Sequence, residues 1–153
     1  MIPEYKFYQG VVLSELVDMA PTPVTISEVV DGGRLGFYVV NDKVGMQVKH
    51  SSARLPPWSF TLKESHLAQL HRMSATLETV FLVLVCGEIG MLALEMREVK
   101  EICGATADNQ YWLRVDKRPR GMFGVHGSLG ALRQKKCDGL ETVVAALDIH
   151  AGE

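Results

Sequence analysis

Two polar side chains with the potential for catalysis, Gln47 and Lys49, lie two positions apart in the stretch 44–49. Met46 and Val48 alternate with them, so an extended strand would place Gln47 and Lys49 side by side on one face. An amide oxygen can approach a divalent cation, and an ammonium group can lie beside the nucleophile and the phosphate that is cleaved. The pattern is consistent with a phosphodiesterase site in which both residues are catalytic. An ordinary half-exposed strand shows the same alternation.

Length and charge limit the class of protein. The chain has 153 residues, of which 47% are hydrophobic, and this predicts one domain over 1–153 with a buried core. The formal net charge of -2 argues against a protein that coats nucleic acid by bulk charge. Any contact with nucleic acid would therefore come from a local basic patch.

The cysteines indicate a reducing compartment. Cys86, Cys103 and Cys137 are an odd number with no close pairing, and the five histidines show no zinc spacing with them. The first residues show no basic-then-apolar signal peptide, and the apolar run 80–86 is too short to span a bilayer. We expect a cytoplasmic protein with no membrane partner.

The elements that position Gln47 and Lys49 follow from periodicity and turn signals. Helical spacing of apolar residues predicts a helix over 4–19, which Pro21 ends. β-branched runs separated by turns predict an antiparallel meander whose third strand carries Gln47 and Lys49. The predicted strands are 24–30, 36–40 and 44–50.

After the meander we expect a loop over 51–60 and a helix that opens with a capping box of Thr61 and Glu64. The run 79–86 is apolar without alternation, as expected for a strand buried on both faces at the sheet centre. Further elements are predicted as a strand over 91–94, a helix over 95–103, strands over 110–115 and 121–126, and a last helix capped by Asp138. The predicted fold class is α+β (α/β), a mixed central β-sheet flanked by helices, with extra C-terminal strands.

This order of elements resembles the core of the PD-(D/E)XK, or restriction-endonuclease-like, superfamily. The stretch Gly-Met-Gln-Val-Lys-His at 45–50 is similar to the Gln-x-Lys variant of Mrr-type nucleases. The resemblance covers about 4–95, and the remaining strands and C-terminal segment, 96–153, are additions to that core.

The resemblance implies Mg²⁺ as cofactor and carboxylates as its ligands. The family places an aspartate on the second strand, but residues 36–40 contain no acid. The nearest acids are Asp31 before that strand and Asp42 in the turn after it. The metal ligands that the resemblance offers are Asp31 and, on the first helix, Glu15. Lys49 would then stabilise the attacking water or the charge that develops on the phosphate.

Nucleic acid is the partner that the resemblance implies. Ser51 and Arg54 follow the motif strand, and they are candidate phosphate contacts. The densest basic cluster, Lys117, Arg118 and Arg120, is a second candidate, because it could follow a phosphate backbone. It is equally explained as a charged edge that prevents strand-to-strand aggregation.

Two functions follow. The first is a nuclease-like domain that binds nucleic acid, with Mg²⁺-dependent phosphodiester hydrolysis as the implied activity. The alternative keeps the fold and is a non-catalytic, degenerate nuclease-like binding or assembly module. A homodimer is also left open.

Overall fold

The chain forms helices and strands in the order that the sequence predicts, with two strands added, at 58–62 and 130–131. The computed structural model describes residues 1–30, 36–104, 106 and 109–148. The helices are α1 (Glu4–Met19), α2 (Glu64–Thr76), α3 (Met96–Cys103) and α4 (Glu141–Asp148). The strands are β1 (Ile26–Val29), β2 (Phe37–Val40), β3 (Val44–Ser51), β4 (Trp58–Leu62), β5 (Thr79–Cys86), β6 (Gly90–Glu95), β7 (Tyr111–Lys117), β8 (Phe123–Gly127) and β9 (Gly130–Ala131).

The larger sheet has five strands in the order β1-β2-β3-β5-β6. The pairs β1–β2 and β2–β3 are antiparallel, so the predicted meander is confirmed. β3 and β5 are parallel, with Met46 opposite Phe81, and α2 lies between them in the chain. Parallel neighbours need such a crossover, whereas β5 and β6 form an antiparallel hairpin.

Both faces of β5 are buried, as its continuous apolar run predicts. Phe81 and Val83 point to one side, where they belong to a core cluster with α1 and α4. Leu82 and Leu84 point to the other side, where they belong to a cluster with α2, α3 and the second sheet. The larger sheet therefore lies between two layers, and the protein has an α+β fold.

The second sheet is antiparallel, with the order β4-β7-β8-β9. The loop predicted over 51–60 is wrong for 58–60, because β4 begins at Trp58. In β4 the side chains of Trp58, Phe60 and Leu62 are buried, and they alternate with exposed Ser59 and Thr61. The C-terminal strands pair with β4 and form a separate sheet, so they are not edge strands of the larger one.

Two predicted helix caps are wrong. Thr61 lies within β4, and α2 follows Lys63 with no side-chain cap. The Asp138 carboxylate accepts a hydrogen bond from the Met91 backbone N–H at 3.0 Å, and α4 begins later, at Glu141. None of the helices in the described ranges is long and apolar enough to cross a membrane.

Candidate functional site

The motif strand β3 presents its polar residues toward α2. A side chain at Gly45 would meet Met73 of α2 and Leu77 directly after it, and four positions later Lys49 contacts the same helix. Gln47 lies two positions from each of them, and alternate residues of a strand point to the same face. Gln47 therefore shares this side of β3 with Lys49, as predicted. Met46 and Val48 pack on the opposite side, in the cluster that contains Phe81 and Val83.

The two motif residues have different environments. The Gln47 side chain has 0% exposure, because it is covered by the layer that packs on this side of the sheet. Lys49 is only partly buried, because β2 pairs with β3 no further than Gln47 and leaves the end of β3 more open. Gln47 is therefore enclosed in the protein interior, and Lys49 is the motif residue that borders a cavity.

Lys49 forms a hydrogen bond to α2. Its Nζ atom lies 3.2 Å from Nδ1 of His66. Burial lowers the pKa of Lys49 to about 8, and the nearby charge of Lys63 acts in the same direction. Burial also lowers the pKa of His66 to about 4, with further contributions from Lys49 and Lys63. At neutral pH the lysine is therefore mainly charged and donates, while the neutral imidazole accepts through Nδ1.

The ammonium of Lys49 borders a cavity of about 380 Å³, which we call the Lys49 cavity. It is lined by Tyr5, Gln9, Val48, Lys49, His50, Ser59, Phe60, Thr61, Lys63 and His66. Among these described lining residues there are two lysines, several neutral hydrogen-bonding groups and no aspartate or glutamate. The cavity also borders the first turn of α2, where backbone N–H groups favour a negative charge. These features together suit an anion with several oxygen atoms.

The N-terminal half of α1 closes one side of this cavity. The rings of Tyr8 and His50 stack with their centroids 4.2 Å apart, and His50 Nε2 lies 3.3 Å from a Glu4 carboxylate oxygen. The Tyr38 hydroxyl donates a hydrogen bond to Gln9 Oε1 at 2.6 Å. These contacts fix α1 against β2 and the end of β3.

The structure describes only one of the two expected magnesium ligands. Asp31 lies outside the described residues. Glu15 is seven residues beyond Tyr8 on α1, about 10 Å further along the helix axis, and it is not a lining residue of the Lys49 cavity. Across the described ranges, no group of three or more His, Cys, Asp or Glu side chains is placed to hold a metal ion. Gln47 is enclosed as well, so the Mg²⁺ site stays a prediction, and we derive no hydrolytic step from these residues.

Two of the predicted nucleic-acid contacts lie where β3 and β5 end. Arg54 borders a cavity of about 650 Å³, the Arg54 cavity, which the 52–55 and 87–89 loops and Tyr8 line. Ser51 holds the first loop, since its carbonyl accepts the Gly87 N–H at 2.8 Å and its hydroxyl lies 3.5 Å from the Ala53 N–H. This cavity is larger than the Lys49 cavity, but its lining includes an acid, Glu88, so it is less suited to an anion.

The basic cluster lies beside the Arg54 cavity. Lys117 and Arg118 border an apolar groove of about 450 Å³ whose lining shares Leu55 and Ile89 with that cavity. Arg120 lies in the β7–β8 connection with a positive φ of 63°. β7 is an interior strand of its sheet, so the alternative of a protected sheet edge does not apply to this cluster.

The sequence did not identify the polar residues Gln9, Lys63 and His66 as part of the Lys49 cavity. His66 is five residues before His71 on one helix, a spacing that does not suit a shared metal ion, so the sequence gives it no signal of its own. No short motif connects His66 with Lys49, which are 17 residues apart and meet only when α2 packs on the sheet. The alternation in Trp-Ser-Phe-Thr-Leu at 58–62 was the available signal for β4, which carries Ser59 and Thr61 to the cavity.

Comparison with known proteins gives no family for this arrangement. No protein-family model, curated protein or solved structure matches the chain.

Proposed function

We propose that this chain is a nuclease-like domain that binds nucleic acid, with a backbone phosphate held in the Lys49 cavity. The observation that carries the proposal is the pairing of Lys49 with neutral His66 inside a cavity that also contains Lys63. A phosphate there would receive charge-assisted hydrogen bonds from two ammonium groups without meeting a carboxylate of the described lining. The hydroxyl groups of Ser59 and Thr61 add neutral donors to the lining of the cavity.

The order of elements supports the nuclease-like part of this proposal. A helix, an antiparallel meander, a second helix and a strand parallel to the third strand follow one another from α1 to β5. The Gln-x-Lys pattern lies on the third strand of that meander, and the lysine of the pattern, Lys49, lines the Lys49 cavity. Arg54, Lys117, Arg118 and Arg120 would extend the contact along the backbone on the neighbouring surface.

Binding to a short DNA duplex, followed by fluorescence anisotropy at increasing salt, tests the proposal. Each neutralised phosphate releases counterions, so three or four contacts give a log-log salt slope of roughly -3 to -4. Lys49→Ala and Lys63→Ala should each weaken binding and flatten the slope by about 1. Lys100→Ala removes an exposed lysine of α3 and is the matched control, with no change expected.

A second set of variants tests the extended surface. Arg54→Ala, Arg118→Ala and Arg120→Ala should reduce affinity and salt dependence together, because each contact acts through charge. Unchanged binding in these variants would confine the interface to the Lys49 cavity. Absence of binding to any nucleic acid at low salt would overturn the proposed function and favour the non-catalytic assembly module.

The same preparation separates binding from hydrolysis. Incubation with Mg²⁺ or Mn²⁺ and plasmid DNA would reveal nicking, and nicking that disappears in Lys49→Ala would assign a nuclease activity to this site. Binding with no cleavage would identify a degenerate nuclease-like module that uses the cavity for recognition alone.

A further inference from the structure

The exposed face of the second sheet carries an aromatic residue that the proposed function has not used. Trp112 is 44% exposed in β7, where its neighbours Leu113 and Val115 point into the core. Arg114 lies on the same outward face, two positions along the strand. The chain's other tryptophan, Trp58, has 0% exposure.

The Trp112 ring is held by two neighbours. The Arg114 guanidinium carbon lies 5.4 Å from the ring centroid, a cation–π distance. The His126 ring approaches edge-on, with centroids 5.5 Å apart and an interplanar angle of 86°. Trp112, Arg114 and His126 form a group that we call the Trp112 face. An ordered aromatic ring beside a fixed cation offers both a stacking surface and a charge.

The Trp112 face is continuous with the Lys49 cavity. Thr61 is the cross-strand partner of Trp112, and Ser59 is the partner of Arg114. Both β4 residues also line the cavity. Because directly paired residues on neighbouring strands lie about 5 Å apart, the aromatic ring is only one strand away from the cavity wall.

We propose that the Trp112 face stacks an unpaired base of single-stranded nucleic acid whose phosphate occupies the Lys49 cavity. This inference rests on the proposed function and narrows its substrate class. In a duplex both faces of each base are covered by neighbouring bases, whereas a single strand can turn a base onto an aromatic ring. Arg114 and the two cavity lysines complement the backbone charge. Asp116 also lies on this face, two positions beyond Arg114, on the side away from Trp112.

Tryptophan fluorescence gives a direct test, with oligothymidylate, oligouridylate and a DNA duplex as probes. Stacking should quench the emission of exposed Trp112 when either oligonucleotide binds, and the duplex should quench it less. Trp112→Phe should remove the quenching, because the remaining Trp58 is enclosed. The two oligonucleotides distinguish DNA from RNA as the source of the unpaired base.

Affinity measurements provide the second readout. Trp112→Ala should weaken binding to the oligonucleotides about 5- to 150-fold, the range expected for loss of one base–aromatic stack. Trp112→Phe, which keeps a ring, should restore part of that loss. Phe7→Ala is the matched control, since it removes an exposed aromatic side chain of α1 that lines none of the three cavities and should leave binding unchanged.

The outcomes separate the two proposals. If Trp112→Ala binds single strands as wild type does while Lys49→Ala weakens all binding, the stacking inference is overturned and the proposed function remains. If neither single strands nor duplex bind at low salt, both are overturned. Unchanged thermal melting of Trp112→Ala would show that an affinity loss reflects the missing ring.

Discussion

Lys49 and His66 are 17 residues apart in sequence, and their Nζ and Nδ1 atoms lie 3.2 Å apart. The bond joins the end of β3 to the first turn of α2, so it fixes the wall of the Lys49 cavity. At neutral pH its donor is charged and its acceptor is neutral, and burial makes charge on either group unfavourable. Both members should therefore make stability depend on pH, in two different pH ranges.

Stability should rise at alkaline pH because of Lys49. The pKa of Lys49 falls from 10.5 to about 8 on folding. Between these values the unfolded chain binds more protons, so the free energy of unfolding increases with pH. Relative to Lys49→Met, wild type should gain about 1–3 kcal/mol between pH 7 and 10.5. Urea melts of both proteins at several pH values measure the difference. The prediction would be contradicted if the free energy of unfolding changed with pH in the same way in both proteins.

Stability should fall at acidic pH because of His66. The pKa of this imidazole falls from 6.5 to about 4 on folding, mainly through burial. The unfolded chain therefore takes up a proton first, and stability is lost as the pH decreases from 6.5 toward 4. The loss should be about 1–3 kcal/mol larger in wild type than in His66→Asn, whose amide oxygen can replace Nδ1 as acceptor.

The acid comparison is specific because His71 and the carboxylates remain in both proteins, so their contributions cancel in the difference. Chemical denaturation at pH 7, 6, 5 and 4 provides the measurement. If the free energy of unfolding changed equally with pH in wild type and His66→Asn, the imidazole would not be buried in its neutral form.

The centre of the larger sheet should be sensitive to loss of volume. Phe81 has 0% exposure and lies opposite Met46 of β3 and Glu95 of β6. Phe81→Ala should reduce the free energy of unfolding by about 3–5 kcal/mol, because it removes apolar contacts and leaves a cavity. Val11→Ala, at an exposed position of α1, is a control expected to change stability by less than about 1 kcal/mol. A small loss for Phe81→Ala in denaturant melts would contradict the packing described for β5.

Local patterns predicted the parts of the fold that depend on local physics. The bounds of α1 follow from apolar spacing and from Pro21 shortly after its end. The uninterrupted apolar run identified β5 as a strand buried on both faces. β4 was missed because the prolines before Trp58 suggested a loop, and its partner β7 is about fifty residues away in the chain. Pairing over that distance has no local signal.

Only the part of the site that depends on the alternation of side chains along β3 was predicted from the sequence. Alternation placed Gln47 and Lys49 on one face, but it could not show that packing encloses Gln47 completely. His66 reaches Lys49 through tertiary packing, and Trp112 reaches the cavity through the β4–β7 register. These two relations depend on distant segments, so no motif in the sequence contains them.

Gly36 should be intolerant of a side chain, because it lies next to the Lys49 cavity in a backbone conformation that favours glycine. Its φ is +78°, and a β-carbon would lie 2.8 Å from the Val48 carbonyl oxygen and 3.0 Å from Gln9 Nε2. Its own carbonyl accepts the Val48 N–H at 2.9 Å, so the backbone cannot move away freely. Gly36→Ala should cost about 1–3 kcal/mol in the free energy of unfolding and should weaken nucleic-acid binding, since Gln9 and Val48 line the cavity.

Gly10→Ala is the matched control for Gly36→Ala, and the expected sign is opposite. Gly10 lies within α1, and a β-carbon there would meet nothing within 4 Å. Because alanine favours a helix over glycine, this variant should gain about 0.5–1 kcal/mol and keep its binding. Denaturant melts and anisotropy titrations of both variants test the pair. Equal stability of the two variants would show that position 36 does not require a positive φ, and that Gly36 is not what holds this wall of the cavity.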